Sequence, residues 1–493
     1  MLPGKHSILG LPVNETHIFL IVGSVLAASI LIAHIASRLG IPSLVAFLVF
    51  GMLLGSDGLG NIAFTNVELA RAVGTVGLVA ILFEGGLSTS WRRLRSVIVP
   101  ATLLSTVGVA LTAALTGVVA HSLFQLPWLY AFLLGAVVSS TDAAAVFATF
   151  RFSKIRRSLA RTLEAESGGN DPAAIALTVG FIAWIQQPTY GLVDLSLLLL
   201  HQLGFGLLIG VALGAAAMWI FARLPHSIGA FAPVASIAAC ALSFGIADYI
   251  GGSGFLAVYL VGLAIGSTPS RYRGQLTVFH EGLAFVAQVA MFLILGLFVF
   301  PHQLLSVAAA SIVLAVLLVF IIRPFAVWLS IPPRYFTVRE KALLGYAGLR
   351  GAVPIVLGTF VLSSHLDHGE TIFNTVFFVV LTSALIQGTT LEWVAERLGL
   401  VDHLPSEEPA GAAKSKKEQI TFTVAPQHAI SGVMIAEVGL PHKAKITKIT
   451  RHKKTVTPDG KTIIETGDRL LIIAPLSMHP EVEDVFTRWR RRV

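Results

Sequence analysis

Long apolar runs, one after another along the first 400 residues, limit most strongly what this chain can fold into. The chain has 493 residues, of which 55% are hydrophobic and only 13% are charged. A soluble protein usually has about a quarter charged residues. A run of roughly 20 apolar residues spans the hydrocarbon core of a bilayer as a helix, because backbone groups there must be satisfied within the segment. The pattern predicts an all-α polytopic membrane protein.

We predict about thirteen transmembrane helices, with ends that local signals place only to within a few residues. The runs lie at 17–37, 42–56, 69–87, 97–121, 127–150, 160–184, 193–222, 228–248, 253–267, 277–300, 303–325, 339–362 and 370–391. The only cysteine, Cys240, falls inside one of these runs, so an internal disulfide framework is excluded.

Basic residues indicate the orientation, because they concentrate in alternate loops, as in the positive-inside pattern. Lys5 and Arg71 are the exceptions in the other loops. We expect the N-terminus outside and the C-terminus in the cytoplasm, in the plasma (inner) membrane of a prokaryote. The net charge of +8 is then explained by topology and a basic tail, and no nucleic acid partner is expected. The basic loop residues are Arg38, Arg92, Arg93, Arg95, Arg151, Lys154, Arg156, Arg157, Arg161, Arg223, Arg271, Arg273, Arg323, Arg334, Arg339 and Lys341.

Four polar residues, Ser139 to Asp142, interrupt the fifth run. Such residues compete for backbone hydrogen bonds and cap helix starts, so they predict an unwound segment in mid-membrane. Asp142 would then face the positive N-terminal end of a half-helix. The alternative is a polar contact between intact helices.

The twelfth run contains a second break, Gly345 to Pro354, with Arg350 at its centre. A permanently charged arginine at this depth needs a carboxylate or the carbonyl end of a half-helix as its partner. The alternative is an arginine that extends to the interface from a helix end. The two breaks lie seven helices apart, which fits two inverted six-helix repeats whose broken helices cross.

The sixth run begins with Glu166-Ser167-Gly168-Gly169-Asn170-Asp171-Pro172. Ionisable groups at membrane depth usually mark an ion or proton path. On a helix, Ser167 and Asp171 share a face, and their hydroxyl and carboxylate suit a dehydrated alkali cation. Glu166 and Asn170 lie on a neighbouring stripe that suits Arg350 or a helix end. We hypothesise that Asp171 takes up and releases the proton, and a purely structural ion pair is the alternative.

Further polar residues lie in the apolar runs, among them Glu84 in the third and Gln288 in the tenth. Glu84 either completes the cation shell or pairs with Arg92 or Arg93 at the interface. Gln288 is expected to make a hydrogen bond between packed helices.

The composition changes after residue 400. Residues 401–419 contain the polar sequence LPSEEPAGAAKSKKEQ and are predicted as a linker. Residues 420–493 are predicted to form a small α+β cytoplasmic domain, marginal in size on its own. Its expected strands and closing helix, with a turn at 458–460, are Ile420–Val424, Ala444–Thr450, Thr462–Glu465, Arg469–Ala474 and the helix Pro480–Trp489.

Three motifs together resemble the monovalent cation:proton antiporters of the CPA1 family, in its NhaP-like branch. They are Ser-Ser-Thr-Asp at 139–142, Glu-Ser-Gly-Gly-Asn-Asp-Pro at 166–172 and Gly-Leu-Arg-Gly-Ala-Val-Pro at 348–354. The resemblance covers residues 1–400. It implies thirteen helices, a homodimer, and a core domain that moves against a dimerisation domain.

The resemblance also implies roles for individual residues. Asp171 matches the ion-binding aspartate and Asn170 the asparagine of electroneutral members. With Asp171 and Asn170, the implied cation and proton site comprises Ser167, Thr141 through its backbone, and Glu84. Asp171 and Ser167 would hold the monovalent alkali cation. Glu166 and Arg350 match a structural ion pair, and Asp142 matches the acid at the helix crossing.

The tail resembles the TrkA-C half of RCK domains, in 435–441, 446–451, 458–460 and 466–470. It lacks a GxGxxG motif, so the nucleotide-binding Rossmann half is missing and direct NAD binding is not expected. The resemblance implies a regulatory domain that accompanies potassium handling, with a small nucleotide as a candidate ligand. No cofactor is expected beyond the transported ions.

These patterns lead to one functional expectation. Burial disfavours the charged form of Asp171, so either a proton or a cation must neutralise it before the core can cross the barrier. We expect electroneutral exchange of cytoplasmic K⁺ for external H⁺ by elevator-type alternating access, under control of the tail. Na⁺ or Li⁺ exchange is the alternative. A cation channel is disfavoured because no TVGYG-like filter occurs, and an enzyme because no catalytic motif stands out.

Overall fold

The computed structural model describes residues 7–8, 11–12, 15–39, 43–58, 60, 62, 64–150, 153–223, 231–268, 270, 272–299, 301–403, 417–426, 428–441, 444–451, 454–460, 462–475, 485–486 and 489. The chain divides into two compact units, Met1–Leu404 and Pro405–Val493. The first unit is almost entirely helical. Most of the predicted linker, 404–416, and most of the predicted closing helix lie outside the described residues.

Each predicted apolar run contains a helix. The helices are α1 (Glu15–Leu39), α2 (Ser43–Leu54), α3 (Val67–Ser88), α4 (Trp91–Leu94), α5 (Ile98–Leu103), α6 (Val109–Phe124), α7 (Trp128–Val137), α8 (Ala143–Thr149), α9 (Arg157–Gln186), α10 (Leu192–Arg223), α11 (Ala232–Tyr249), α12 (Gly254–Ser267), α13 (Arg273–Leu297), α14 (Pro301–Leu317), α15 (Arg323–Ser330), α16 (Val338–Tyr346), α17 (Ala352–Ser363) and α18 (Gly369–Arg397).

Six helices among the described residues have the length and apolar composition to cross a membrane unaided: α5 with α6, α10, α11, α13, α14 with α15, and α18. Apolar side chains such as Leu197, Leu200 and Leu208 are exposed along α10. A soluble surface rarely carries such a band, which is ordinary against lipid. The prediction of a helical polytopic membrane protein is confirmed, while the count of thirteen spans and the inverted repeats stay predictions.

Two long helices are continuous through a π-helical turn. Leu104–Gly108 joins α5 to α6, and Leu318–Ile322 joins α14 to α15. The second helix therefore runs on to Ser330, whereas the sequence predicted its end near residue 325. The extension is physically reasonable because 325–329 is Phe-Ala-Val-Trp-Leu and continues the apolar character. It places Arg323, predicted as a loop charge, inside the helix.

Helices α3 and α12 pack backbone against backbone along a seam of glycines, Gly86, Gly262 and Gly266. A β carbon on any of these three would collide with backbone atoms of the facing helix. Small residues allow this close approach between membrane helices. The seam fixes α12 against α3 and limits how far either can shift alone.

The strands are β1 (Ser7–Ile8), β2 (Leu11–Pro12), β3 (Ser153–Ile155), β4 (Val401–His403), β5 (Lys417–Thr423), β6 (Lys445–Arg451), β7 (Lys454–Val456) and β8 (Arg469–Pro475). Strands β1 and β2 pair with each other. Residues 401–403, predicted as linker, instead form β4, which pairs antiparallel with β3 in the loop that precedes α9. Arg156 reinforces this pairing, because its N–H donates to Leu400 O at 3.2 Å.

The second unit contains a four-stranded antiparallel sheet in the order β5-β8-β6-β7. Its core includes Phe422, Ile449, Leu470 and Trp489. The prediction of a small sheet domain is confirmed. The strand predicted at Thr462–Glu465 is wrong, because this segment contributes only a single bridge between Ile463 and Met434, and β7 was not predicted.

One charged cluster braces this sheet. Arg451 donates to both carboxylate oxygens of the buried Asp468, at 2.9 and 2.8 Å, and to Glu465 at 2.5 Å. The hydrogen bonds to Asp468 raise the pKa of Arg451 above its ordinary value. The guanidinium therefore stays charged throughout the physiological range.

Candidate cation site

The two predicted breaks are present and contact each other. The first separates α7 from α8, and the second separates α16 from α17. The backbone N–H of Asp142 in the first break donates to Leu349 O in the second at 2.8 Å. The crossing therefore brings four half-helix ends together inside the protein.

Asp142 places negative charge at two helix N-termini. Its Oδ1 accepts from the backbone N–H of Ala145 at 3.0 Å, which caps α8. Its carboxyl group also lies against Gly351, the residue that precedes α17, where a β carbon would overlap it. Carboxylates near helix N-termini are stabilised by the unsatisfied N–H groups there. The predicted position of Asp142 is the position found.

Arg350 supplies the opposite charge to a helix C-terminus. Its Nη1 donates to Ser140 O at 2.8 Å and to Ser139 O at 3.3 Å, just beyond the end of α7. Of the two partners proposed for this arginine, carbonyl groups rather than a carboxylate are therefore observed. From α18, Ser383 accepts from the backbone N–H of Arg350 at 3.2 Å and so supports the break.

The predicted ion pair of Glu166 with Arg350 is wrong. Glu166 instead pairs with Arg323, and the side chains of both are almost completely inaccessible. A buried arginine and a buried carboxylate each need the other, because desolvation of either charge alone is costly. The sequence treated Arg323 as a loop charge. The apolar residues that follow Pro324 were the available signal that the helix continues.

Two side chains of α9 bind the first break. Ser167 Oγ donates to Thr141 O at 3.0 Å, and Asn170 Nδ2 donates to Thr141 Oγ1 at 2.6 Å. Asn170 is fully buried. Asn170 therefore stabilises the first break. The sequence predicted instead that the helix face with Glu166 and Asn170 contacts Arg350 or a helix end.

A cavity of about 260 Å³ lies between α9, the first break and α3. The predicted ligands Asp171, Ser167, Thr141 and Glu84 line it, and so do Ser140 and Asp142. Glu166, Asn170 and Arg350 do not line this cavity. Asp171 is 7% exposed, and its Oδ1 accepts no hydrogen bond from the described part of the chain.

Glu84 lies on the cavity side rather than in an interfacial pair. Its Oε1 accepts from Ser88 Oγ at 2.6 Å. Arg93 instead donates to Ser88 O and Ser90 Oγ, at 3.1 and 3.0 Å. Of the two roles considered for Glu84, the position favours the one at the cation site.

Several polar residues that line the cavity were not predicted as site residues, among them Glu164, Tyr259 and Gln288. Glu164 precedes Asp171 by seven residues, so helical spacing could have placed both on one face. Gln288 was predicted only as a packing residue. A single tyrosine in an apolar run, such as Tyr259, carries no periodic signal.

A second cavity, of about 290 Å³, begins one helical turn beyond Asp171. Ile175, Val179 and Ile182 of α9 line it, together with Arg71 and Asp248. The two cavities thus lie at successive positions along one helix. Asp171 belongs to the first, and Ile175 lies in the wall of the second.

The donor set is made of oxygen atoms. Carboxylates, hydroxyls and backbone carbonyls suit hard cations, whereas imidazole and thiolate suit transition metals. Within the described ranges, no group of three or more His, Cys, Asp or Glu side chains is arranged to hold a metal ion together. The arrangement can bind a proton or a hard monovalent cation at Asp171.

Comparison with known proteins identifies both units. Residues 25–397 match the family described as sodium/hydrogen exchanger, transmembrane, and residues 420–487 match the TrkA-C domain. A K⁺/H⁺ antiporter NhaP2 of Shewanella sp. (strain MR-4) is 35% identical over 480 residues, covering 95% of this chain and 83% of that protein. A K⁺/H⁺ antiporter NhaP of Alkalimonas amylolytica is 35% identical over 478 residues, covering 94% and 82%.

A solved structure has the same fold. It is that of the sodium proton antiporter MjNhaP1 from Methanocaldococcus jannaschii, with a TM-score of 0.69 and 23% identity. The similarity covers 78% of this chain and 99% of that one. Nearly the whole of that protein is therefore matched by the fold of this chain.

Proposed function

Since this chain belongs to the transmembrane sodium/hydrogen exchanger family, we propose that it exchanges cytoplasmic K⁺ for external H⁺ across a prokaryotic plasma membrane. One observation carries the proposal. Asp171 is buried with an oxygen atom that accepts no hydrogen bond from the described residues, in a cavity that it shares with Ser167, Thr141 and Glu84.

Competition for this carboxylate gives obligatory exchange. A buried carboxylate without a neutralising charge beside it is costly, so a proton or a cation offsets the cost. The cation form would use Asp171 and Ser167, with Thr141 and Glu84 as further oxygen ligands. When the site is empty and Asp171 is charged, the core does not move across the membrane barrier.

The two cavities support alternating access. A helical turn of about 5.4 Å separates the level of Asp171 from that of Ile175. The first cavity lies towards the start of α9, on the side of the basic loops that we assign to the cytoplasm. We propose an elevator-type movement of α9 and the crossed helices that transfers Asp171 from the first cavity to the second.

One-for-one stoichiometry follows from Asn170. An amide next to Asp171 adds no second titrating group, and its hydrogen bond to Thr141 gives it a scaffold role. Electroneutral exchange is therefore the proposed mode. A sustained current in proteoliposomes, driven by voltage at zero pH gradient, would overturn it.

The choice of K⁺ rests on the tail and on the relatives. The TrkA-C match and the two relatives named K⁺/H⁺ antiporters support it. The alternative is Na⁺ or Li⁺ exchange, supported by the solved structure of a sodium proton antiporter. Oxygen ligands alone do not separate these ions.

Regulation and assembly complete the proposal. We propose that residues 420–487 control transport, with a small nucleotide as the candidate ligand. The proposed oligomer is a homodimer, as the family resemblance implies, with the N-terminus outside and the C-terminus in the cytoplasm.

The test uses purified full-length protein in proteoliposomes that contain a pH-sensitive dye. K⁺, Na⁺ or Li⁺ is added to vesicles with a preformed pH gradient, over a range of pH. We expect saturable dissipation at lower concentrations of K⁺ than of Na⁺. Preference for Na⁺ would establish the alternative, and flux that does not saturate would indicate a channel.

A further inference from the structure

Tyr259 brings a buried hydroxyl oxygen to the cation cavity. The residue lies on α12, is 6% exposed and lines the cavity that contains Asp171. Within the described part of the chain, its hydroxyl neighbours the Thr89 hydroxyl, and its oxygen accepts no hydrogen bond. Buried hydroxyl groups nearly always have a partner, and one left without costs free energy.

The phenol group is fixed over one residue of α9. If Gly168 carried a β carbon, that carbon would lie 2.5 Å from the Tyr259 hydroxyl oxygen. Gly168 immediately follows Ser167 and precedes Asp171 by one turn. The hydroxyl therefore lies in the wall of the cavity, at the level of the predicted ligands.

The nearby threonine on α3 has other bonding. Thr89 also lines the cavity, and its Oγ1 donates to Gly85 O at 2.8 Å. Its one proton is therefore already used at the end of α3. Thr89 Oγ1 can therefore only accept from the Tyr259 hydroxyl, which leaves the lone pairs of the Tyr259 oxygen without a donor in a residue that lines the cavity.

The main chain behind Tyr259 is rigid. A β carbon at Gly86 of α3 would collide with the carbonyl oxygen of Tyr259, so the two backbones are in direct contact there. The rest of the glycine seam holds α12 along the same line. The hydroxyl is therefore presented from a wall that does not belong to α9.

We propose that the Tyr259 hydroxyl oxygen is a ligand of the transported monovalent cation while the site faces this cavity. The inference rests on the proposed function and adds one neutral oxygen to its ligand set. It also assigns the cation contacts to two walls, Asp171 and Ser167 on α9 and Tyr259 on α12. A cation bound between them would bind both Asp171 Oδ1 and the lone pairs of the Tyr259 oxygen.

The test is Tyr259→Phe in the full-length protein, because phenylalanine keeps the ring over Gly168 and removes only the oxygen. We expect the K⁺ concentration for half-maximal exchange to rise about 3- to 10-fold, as for loss of one neutral polar contact. The maximal rate should stay within about 2-fold. Tyr249→Phe is the matched control, since Tyr249 is 92% exposed at the end of α11.

An unchanged K⁺ requirement in Tyr259→Phe would overturn the inference while leaving the proposed function intact. Absence of K⁺-dependent proton flux in the unsubstituted protein would instead overturn the proposed function. Gly168→Ala provides a second variant, since the added methyl group displaces the phenol. A weaker K⁺ response in Gly168→Ala alone, with Tyr259→Phe unchanged, would reduce the effect to steric contact and also contradict the proposal.

If Tyr259→Phe does not accumulate, binding of K⁺ to purified Gly168→Ala is measured by calorimetry. A binding constant equal to that of the unsubstituted protein would then contradict the proposal, and a several-fold weaker one would support it.

Discussion

Glu166 and Asp171 are two acids on one buried helix, and their surroundings differ completely. Glu166 is fully buried and paired with Arg323. Asp171 is nearly as buried, but it lines a cavity and one of its oxygens accepts no hydrogen bond from the described residues. Burial is therefore common to both, and the presence of a fixed cationic partner separates them. A permanent partner makes an acid part of the scaffold, whereas a cavity leaves it available to exchangeable ions.

The largest effect is expected from Asp171→Asn, which removes the exchangeable charge and keeps the shape. Exchange should fall by at least about 100-fold, while the melting temperature and the elution volume in detergent stay unchanged, because no fixed ion pair is broken. The measurement is dissipation of a pH gradient in proteoliposomes after K⁺ addition. Retained dissipation would show that the site has been assigned to the wrong acid.

Glu166→Gln should give the converse result. It leaves Arg323 buried without its anion, which costs about 3–5 kcal/mol. Thermal unfolding in detergent should shift to clearly lower temperature, and the yield of folded protein should drop. Glu166→Met combined with Arg323→Met is the matched control, since replacing both charges removes the uncompensated one. If Glu166→Gln is as stable as the parent, the scaffold role of the pair is wrong.

Ser167→Ala tests the side of α9 that faces the cavity. The change removes one proposed cation ligand and the hydrogen bond to Thr141 O. We expect about a 3- to 10-fold higher K⁺ requirement, consistent with loss of about 1 kcal/mol. Ser158→Ala, near the start of the same helix, serves as the control. An unchanged K⁺ requirement in proteoliposomes would remove Ser167 from the ligand set.

Glu164 is a third acid on α9 and lines the same cavity, yet it is only partly buried. Glu164→Gln should change the K⁺ requirement by about 2-fold at low ionic strength, because it acts on cations through a screened field. Raising the salt with an impermeant organic cation should remove the difference. A large effect that persists in high salt would place Glu164 beside Asp171 as a direct ligand.

The comparison also shows what the sequence could and could not predict. Apolar runs locate helices because the bilayer requires length, and clusters of Ser, Thr, Asp and Gly locate breaks because they weaken helical bonding. Those signals are local, and they placed Asp142, Ser167 and Asp171 correctly on their elements. The partner of Glu166 lies 157 residues away. Two arginines were available, and only packing of distant helices decides which one reaches the acid.

Other differences have a similar origin. Tyr259 reaches the cavity because the glycine seam sets the distance between α3 and α12. The residues next to Tyr259 in the sequence do not predict this position. Residues 401–403 were predicted as linker from polarity and position, but strand pairing with 153–155 gives them structure. Pairing between two segments that lie far apart in the sequence leaves no signature within either short segment.

The pairing of β3 with β4 has a mechanical consequence. Three residue pairs join the segment after the last helix, α18, to the segment between α8 and α9. The chain beyond His403 is thus tethered at two points rather than one. A force on residues 401–403 therefore acts both on the end of α18 and on the segment that precedes α9, the helix that carries Asp171. Because strand hydrogen bonds join these two segments, the end of α18 and the start of α9 cannot separate unless this pairing breaks.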